Sequence, residues 1–216
     1  MAVRIPVLVS LSLIALGASV SAQAQTPPAF NGDAKRGAAL AYTCNGCHAI
    51  PNYKNVYPTY SVPKLHGQRP EYLVAALKAY KSGERSHGTM HSQASSMNEQ
   101  DMTDVAAYLA GPEPLTQSKN DVPATARPAS SEVCLACHGT NGVGITADYP
   151  TIAGQHKDYI ERALHDYQKG GRKNAVMAGM AATLKAEDIE ALAEYYSKQT
   201  PSLEALPKKT FFFSSN

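Results

Sequence analysis

The stretch Cys44-Asn-Gly-Cys47-His48 returns ninety residues later as Cys134-Leu-Ala-Cys137-His138, and the two copies together use all four cysteines of this 216-residue chain. A disulfide framework has no use for a histidine directly after the second cysteine. A structural zinc site needs four ligands brought to one point, and a redox-active Cys-x-x-Cys is expected beside a βαβ pattern that this chain lacks. Another chemistry must fix the spacing.

The surrounding composition narrows the choice. At 216 residues and 44 % hydrophobic content the chain fits two modest folded domains. Its formal charge of +2, from 20 basic and 18 acidic residues, carries no Lys/Arg run that would suit nucleic acid. Residues 1–24 read as an export signal: Arg4 gives a charged start, Val7–Leu16 is apolar apart from two serines, and Ala22-Gln-Ala24 offers small residues for cleavage. That apolar run falls short of the ~20 residues a membrane span needs, which argues against a retained anchor. Export places the cysteines in an oxidising compartment, where unprotected thiols pair.

The chain is a tandem repeat. At an offset of 87 residues, Pro63-Lys-Leu-His-Gly-Gln68 falls on Pro150-Thr-Ile-Ala-Gly-Gln155, and Tyr72, Tyr80, Gly83, Arg85 and Met90 fall on Tyr159, Tyr167, Gly170, Arg172 and Met177. The cysteine motifs lie 90 apart, so the first copy carries three extra residues in the segment 51–62, read as a surface-loop insertion. Each copy reads as three or four helices with no strand of useful length. Asp33–Tyr42 leads into the first motif, Pro70 opens a helix with Tyr72, Leu73, Ala76, Leu77 and Tyr80 on one face, and Asn98 with Asp101 forms a capping box before the last helix. The lead-in helix of the second copy is compressed to a few residues after Pro128. These features divide the chain into domains at 25–110 and 130–200, a proline-rich linker at 111–129 and a tail at 201–216. Two domains of roughly 80 residues with so few aliphatic residues are thinly cored, and a large apolar cofactor in each would complete them.

Two thiols three residues apart on a helical turn can each form a thioether with one of the two vinyl groups on an edge of haem, and the next residue is carried beneath the iron. C-x-x-C-H is accordingly the attachment signature of c-type haem. Cys44, Cys47, Cys134 and Cys137 are the expected attachment points of two covalently bound haem c groups, with His48 and His138 as iron ligands. A methionine thioether is a soft sixth ligand suited to Fe(II). Of six methionines, only Met90 and Met177 coincide under the repeat, each read as lying in a loop before the last helix. Met97 and Met102 fall on Leu184 and Ile189 and read as core. His87 and His91 flank Met90, so bis-histidine ligation remains open at the first site, although both histidines read as solvated loop residues.

At these residues the chain resembles the dihaem class I c-type cytochromes of bacteria, above all the cytochrome c4 group, over essentially its whole mature length. The resemblance is carried by both C-x-x-C-H motifs, by Leu65-His-Gly-Gln68 and Ile152-Ala-Gly-Gln155, and by Met177-Ala-Gly-Met-Ala-Ala-Thr-Leu184 with Asp188-Ile and Tyr195-Tyr196. It implies an all-α fold of two tandem class I cytochrome c-type domains, each wrapped around one covalently bound haem. It also implies that Pro63 and Pro150 carbonyls receive the ring N–H of the proximal histidines. The implied role is a periplasmic carrier, not an enzyme, taking single electrons from a membrane respiratory complex or a dehydrogenase to a terminal oxidase or reductase. One alternative comes from another class, a dihaem enzyme of the peroxidase or thiosulfate-oxidising type, disfavoured because both copies keep a methionine and no cysteine is spare; a third reading, a dedicated cytochrome subunit of a dehydrogenase complex, differs from the carrier only in the permanence of its partner. The terminal Phe211-Phe-Phe-Ser-Ser-Asn216 reads as a strap or a loose end, with docking to a partner or peripheral membrane association as the other option.

Overall fold

The computed structural model describes residues 30–116 and 127–207. The expected signal at 1–24, the middle of the expected linker and the Phe211–Phe213 run lie outside the described residues. The described part is all-α and forms two helical clusters; no strand occurs in it, only three isolated bridges.

The first cluster holds α1 (Ala34–Leu40), α2 (Tyr42–His48), α3 (Pro70–Ser82), α4 (Gly88–Ser95) and α5 (Glu99–Ala110). Their ends follow local chemistry. Asp33 caps α1 by accepting from Lys35 N at 2.9 Å and Arg36 N at 3.1 Å, because its short carboxylate reaches donors that have no intrahelical partner. Pro70 opens α3 and Gly83, at φ +80°, closes it in a left-handed conformation. Asn98 and Asp101 exchange both bonds of a capping box at the start of α5. Leu73 and Leu77 of α3 then meet Met102, Val105, Ala106 and Leu109 of α5, so Met102 is core as expected. Helix α1 crosses α5 where Gly37 has no side chain, and a Cβ there would stand 1.9 Å from the Asp104 carbonyl oxygen. Five helices exceed the three or four read from the sequence, because Ala41 breaks the lead-in segment and the methionine segment is itself helical.

The second cluster repeats this with α6 (Glu132–His138), α7 (Lys157–Gln168), α8 (Ala175–Ala182) and α9 (Ala186–Ser197). Only a 3-10 turn, Ala129–Ser131, stands where α1 would be, which matches the compressed lead-in. Its core is smaller: Ile160, Leu192, Ala193, Tyr195 and Tyr196.

The clusters dock about a pseudo-twofold axis, and the hydrogen bonds across it come in reciprocal pairs. Gln155 accepts from Lys64 N (3.0 Å) and donates to Lys64 O (3.0 Å); Gln68 accepts from Thr151 N (2.8 Å) and donates to Thr151 O (2.8 Å). Ser86 N donates to Gly171 O at 2.8 Å, and Lys173 N to Glu84 O at 2.9 Å. Arg85 and Arg172 bridge on the axis itself. The glutamines and arginines that form these contacts are residues that the 87-residue offset superposes.

Two asymmetric additions also cross the joint. The insertion has a solvent-facing tip, with Val56 89 % and Tyr57 96 % exposed. Its far end is not surface loop: Tyr60 is buried against Tyr159 and Arg162, and Ser61 donates through N (3.0 Å) and Oγ (2.9 Å) to Asp158. After α9 the chain returns to the first cluster. Leu203 N donates to Ala153 O, His66 and Glu204 exchange two backbone bonds, and Leu206, buried in the first core, donates its N–H to His48 O at 3.1 Å.

Candidate haem sites

Each Cys-x-x-Cys-His motif forms a seven-residue helix, α2 or α6, that ends on its histidine. Both histidines are buried, and both are held by the next loop: His48 Nδ1 lies 2.9 Å from Pro63 O and His138 Nδ1 lies 2.9 Å from Pro150 O. A carbonyl can only accept, so Nδ1 carries the proton and Nε2 keeps its lone pair for a metal. Burial pushes both imidazoles below their ordinary value, against the raising effect of the two proline carbonyls. Burial likewise pushes the Cys44 and Cys134 thiols up.

Above each motif helix opens an apolar cleft. The first, of about 1080 Å³ counted to its mouth, is lined by Cys44, Cys47, His48, Leu73, Leu77 and Met90 among others. The second, of about 840 Å³, is lined by Cys134, His138, Ile160, Met177, Leu192 and Tyr196. Seven of the eight expected site residues thus line the two clefts. Cys137 is the exception: it shares α6 with Cys134 but does not line the second cleft.

The methionines are not in loops. Met90 and Met177 sit in the first turns of α4 and α8, because the residue three before each caps that helix: His87 Nδ1 accepts from Met90 N at 3.2 Å, and Asn174 Oδ1 accepts from Met177 N at 3.0 Å. The cap ties the backbone of each methionine to a fixed helix end. His87 is therefore a half-buried capping residue, flanked by Tyr60 and Tyr80, and not a solvated one. His91 is exposed, with Nδ1 2.8 Å from Tyr80 O.

Pro63, Leu65, Tyr72 and Tyr159 line both clefts, so one layer of side chains separates them. In that layer the Tyr159 hydroxyl accepts from Arg85 (3.3 Å) and Arg172 (3.0 Å). Burial alone would raise the Tyr159 phenol, but Arg172 and Arg85 outweigh it and hold it below its ordinary value. The repeat superposes these residues without assigning them a role, since nothing in a linear pattern says which faces of two repeats will meet.

The residues fit haem. Paired thiols beside a histidine with a free Nε2, a thioether on the same cleft and an aliphatic and aromatic lining match the donor set and shape of an apolar macrocycle. Among the described residues, no three His, Cys, Asp or Glu side chains converge to hold a bare metal ion.

Comparison with known proteins agrees with this geometry. The cytochrome c family matches residues 34–111, and the family described as cytochrome c oxidase, cbb3-type, subunit III matches 123–195. Cytochrome c4 of Pseudomonas aeruginosa is 32 % identical over 178 residues, covering 76 % of this chain and 87 % of that protein. The thiosulfate dehydrogenase electron acceptor of Stutzerimonas stutzeri is 29 % identical, covering 77 % of this chain and 82 % of that one. The crystal structure of reduced cytochrome c4 from Pseudomonas stutzeri superposes with a TM-score of 0.62 at 28 % identity, over 78 % of this chain and 100 % of that chain. With one motif helix and one methionine on each of two clefts, and whole-length relatives of this kind, the chain belongs to the cytochrome c4 family of dihaem electron-transfer proteins.

Proposed function

We propose that the chain is exported to the periplasm after loss of residues 1–24, carries domains at 25–110 and 130–200 joined by 111–129, and shuttles single electrons between a respiratory donor and a terminal oxidase or reductase. In this reading Cys44, Cys47, Cys134 and Cys137 form thioethers with two haem groups, His48 and Met90 ligate the first iron, and His138 and Met177 the second. The observation that carries it is the sharing of one cleft wall by two sites of the same His-plus-Met composition. Bound haem iron supplies a one-electron couple whose potential a histidine–methionine pair raises into the range of carriers.

The chain's own residues supply the rest. Pro63 and Pro150 fix the imidazole tautomer. His87 and Asn174 hold the helix ends from which the methionines project. A carrier needs the same ligands in both oxidation states, and backbone-anchored ligands on both sides of a cleft oppose exchange.

The mature protein should gain the mass of two haem groups that acidified organic solvent does not extract. Met177→Ala should abolish the sulfur-to-iron charge-transfer absorption of the second site, lower its potential and admit carbon monoxide there, while the first site is unchanged; Met90→Ala should do the converse. Carbon monoxide binding stoichiometrically to the unmodified protein would refute closed ligation. Persistence of the Met90→Ala absorption would transfer the first ligand to His87 or His91. The similarity to a thiosulfate dehydrogenase electron acceptor favours a dehydrogenase as donor, which stopped-flow reduction by such an enzyme would test.

A further inference from the structure

We propose that the rim of the second cleft, built from Val133, Val176 and Met180, is the docking face for a transient redox partner with an apolar surface of its own, and that the polar rim of the first cleft is not. The duplication supplies an internal comparison, because the two clefts share a donor set and differ at the rim. In the first half Thr43, directly before Cys44 on α2, donates through Oγ1 to Gln93 Oε1 on α4 at 2.7 Å. Both residues line the first cleft, so a hydrogen bond ties the two helices together at its edge. The residue before Cys134 is Val133, and the 87-residue offset puts Met180 on Gln93. That pair cannot make the bond. The change runs along the helix: Thr89, Ser92 and Gln93 of α4 fall on Val176, Gly179 and Met180 of α8.

Packing does not account for these apolar residues. Val133 is 55 % exposed, Val176 61 % and Met180 42 %, and Ile145, whose N–H donates to Cys137 O at the end of α6, is 48 % exposed. The first motif helix also exposes one large side chain, Tyr42, but α4 beyond it carries no large apolar residue except Met90. Four side chains exposed to this extent offer on the order of 300 Å² of apolar surface, the size at which patches on monomers become functional. That is far below the roughly 800 Å² per partner of a stable complex, and it suits a brief electron-transfer encounter better than a permanent dimer. Helix α8 has no charged residue, so it offers no cation to an anionic lipid headgroup. The chain's own tail departs from the other half, after Leu206 in the first core. A partner protein with an apolar face is the occupant left. One electron passes from its reduced cofactor to the ferric iron of the second haem, with no bond made or broken.

This proposal rests on the carrier reading, and the experiment separates the two. One variant gives the second rim the residues of the first: Val133→Thr with Val176→Thr and Met180→Gln. The other does the reverse: Thr43→Val with Thr89→Val and Gln93→Met. Each is first shown to carry two haem groups at wild-type potentials and to be reduced at the wild-type rate by ascorbate, which is too small to need a docking face. Stopped-flow reduction by a thiosulfate dehydrogenase should then slow about tenfold in the second-rim variant, as expected for loss of apolar contact. It should be no slower in the first-rim variant, and the wild-type rate should change little with salt, as expected where charge does not guide docking. In holoprotein carrying 13C-methyl methionine, adding the oxidised dehydrogenase should broaden the Met180 signal.

A second-rim variant as fast as wild type, or equal slowing in both variants, overturns the proposal. If the wild type is itself not reduced by this enzyme, the reading of the donor has failed and the rim is decided on gold electrodes. There the second-rim variant should lose electron exchange on a methyl-terminated alkanethiol layer and keep it on a hydroxyl-terminated one; behaviour identical to wild type on both refutes the face. Rim-dependent binding to vesicles of phosphatidylethanolamine and phosphatidylglycerol assigns the face to a lipid surface, and a rim-dependent dimer in sedimentation velocity assigns it to a second copy. Shielding of the Met180 methyl from a soluble paramagnetic probe, lost on removal of residues 208–216, assigns it to the tail. Each of these three results overturns the partner proposed.

Discussion

The reciprocal glutamine clamp is symmetric in its bonds but not in its surroundings, and replacing each glutamine by leucine should expose the difference. Gln68 is 3 % exposed and its partner Thr151 2 %, whereas Lys64, the partner of Gln155, is only half-buried. Gln68→Leu keeps the volume but strands the Thr151 N–H and C=O, which water cannot reach, and removes the acceptor of Arg69 N at 2.9 Å. Each buried group left unsatisfied costs about 1–3 kcal/mol. The two Thr151 groups together give on the order of 2–6 kcal/mol, and partial relaxation brings the expected loss to about 3 kcal/mol. That is roughly a hundredfold shift toward undocked or unfolded forms. Gln155→Leu strands the half-buried Lys64 backbone, which water can reach, and should cost about 1 kcal/mol. Urea unfolding of the holoprotein, followed by circular dichroism in the haem region, measures both losses, and the rate of proteolysis between the halves reports undocking. Equal losses in the two variants, or a Gln68→Leu protein as stable as wild type, would show that the clamp is not what holds the halves together.

Other perturbations probe the remaining links. Leu206→Ala removes a side chain 3 % exposed in the first core and should lower holoprotein stability by about 2–5 kcal/mol in the same urea assay. Gly37→Ala places a Cβ 1.9 Å from the Asp104 carbonyl oxygen, so α1 must lift from α5; a loss of about 1–3 kcal/mol or more is expected, read as a lower thermal midpoint. Asp104 accepts from Asp33 N (2.8 Å), from Arg36 and from Gln100, which hold its carboxyl below the usual carboxylate value. Its stabilising effect is therefore complete above the unfolded value of about 3.9 and is lost as pH falls through the lower folded value. Thermal midpoints of Asp104→Asn should lie below wild type at neutral pH and converge with it in acid.

Legibility from sequence follows the range of the interaction. The capping box at Asn98 and Asp101, the proline opening α3 and the missing lead-in helix are all readable because each is settled within a few residues. The cleft residues are readable because covalent chemistry fixes the spacing of cysteines and histidine, and the repeat singles out two methionines. The helical state of the methionine segments is not: α4 (GTMHSQAS) and α8 (AVMAGMAA) show no clear apolar periodicity, and their caps, His87 and Asn174, become recognisable only once the helix is seen. The buried end of the insertion escapes a linear reading because Ser61 and Tyr60 find their partners in the other copy, at Asp158 and Tyr159. The paired Gln68/Gln155 and Arg85/Arg172 stand out in the repeat alignment. Duplication explains their recurrence equally well whether or not the two copies touch, and only docking shows that they do.

The additions that duplication did not supply make the two sites unequal in what supports them. The second histidine is bound by its own half, through the Pro150 carbonyl. The first is bound by its own half through the Pro63 carbonyl, and its backbone carbonyl also accepts from the Leu206 N–H, which arrives from beyond α9 just after Glu204 has paired with His66. The insertion adds a second tie on the same side, Ser61 to Asp158. A disturbance of the joint can therefore reach the His48 loop along covalently continuous segments, whereas the His138 loop meets the other half through hydrogen bonds alone, from Gln68 to Thr151 beside Pro150 and from Arg69 to Gly144 O at 2.6 Å. Leu206→Ala separates the two routes, because it weakens the strap and leaves the glutamine clamp intact. Its ligand-sensitive absorption should change at the first haem and not at the second, and the same change in both would mean that the halves respond as one body and that the strap gives the first site no separate support.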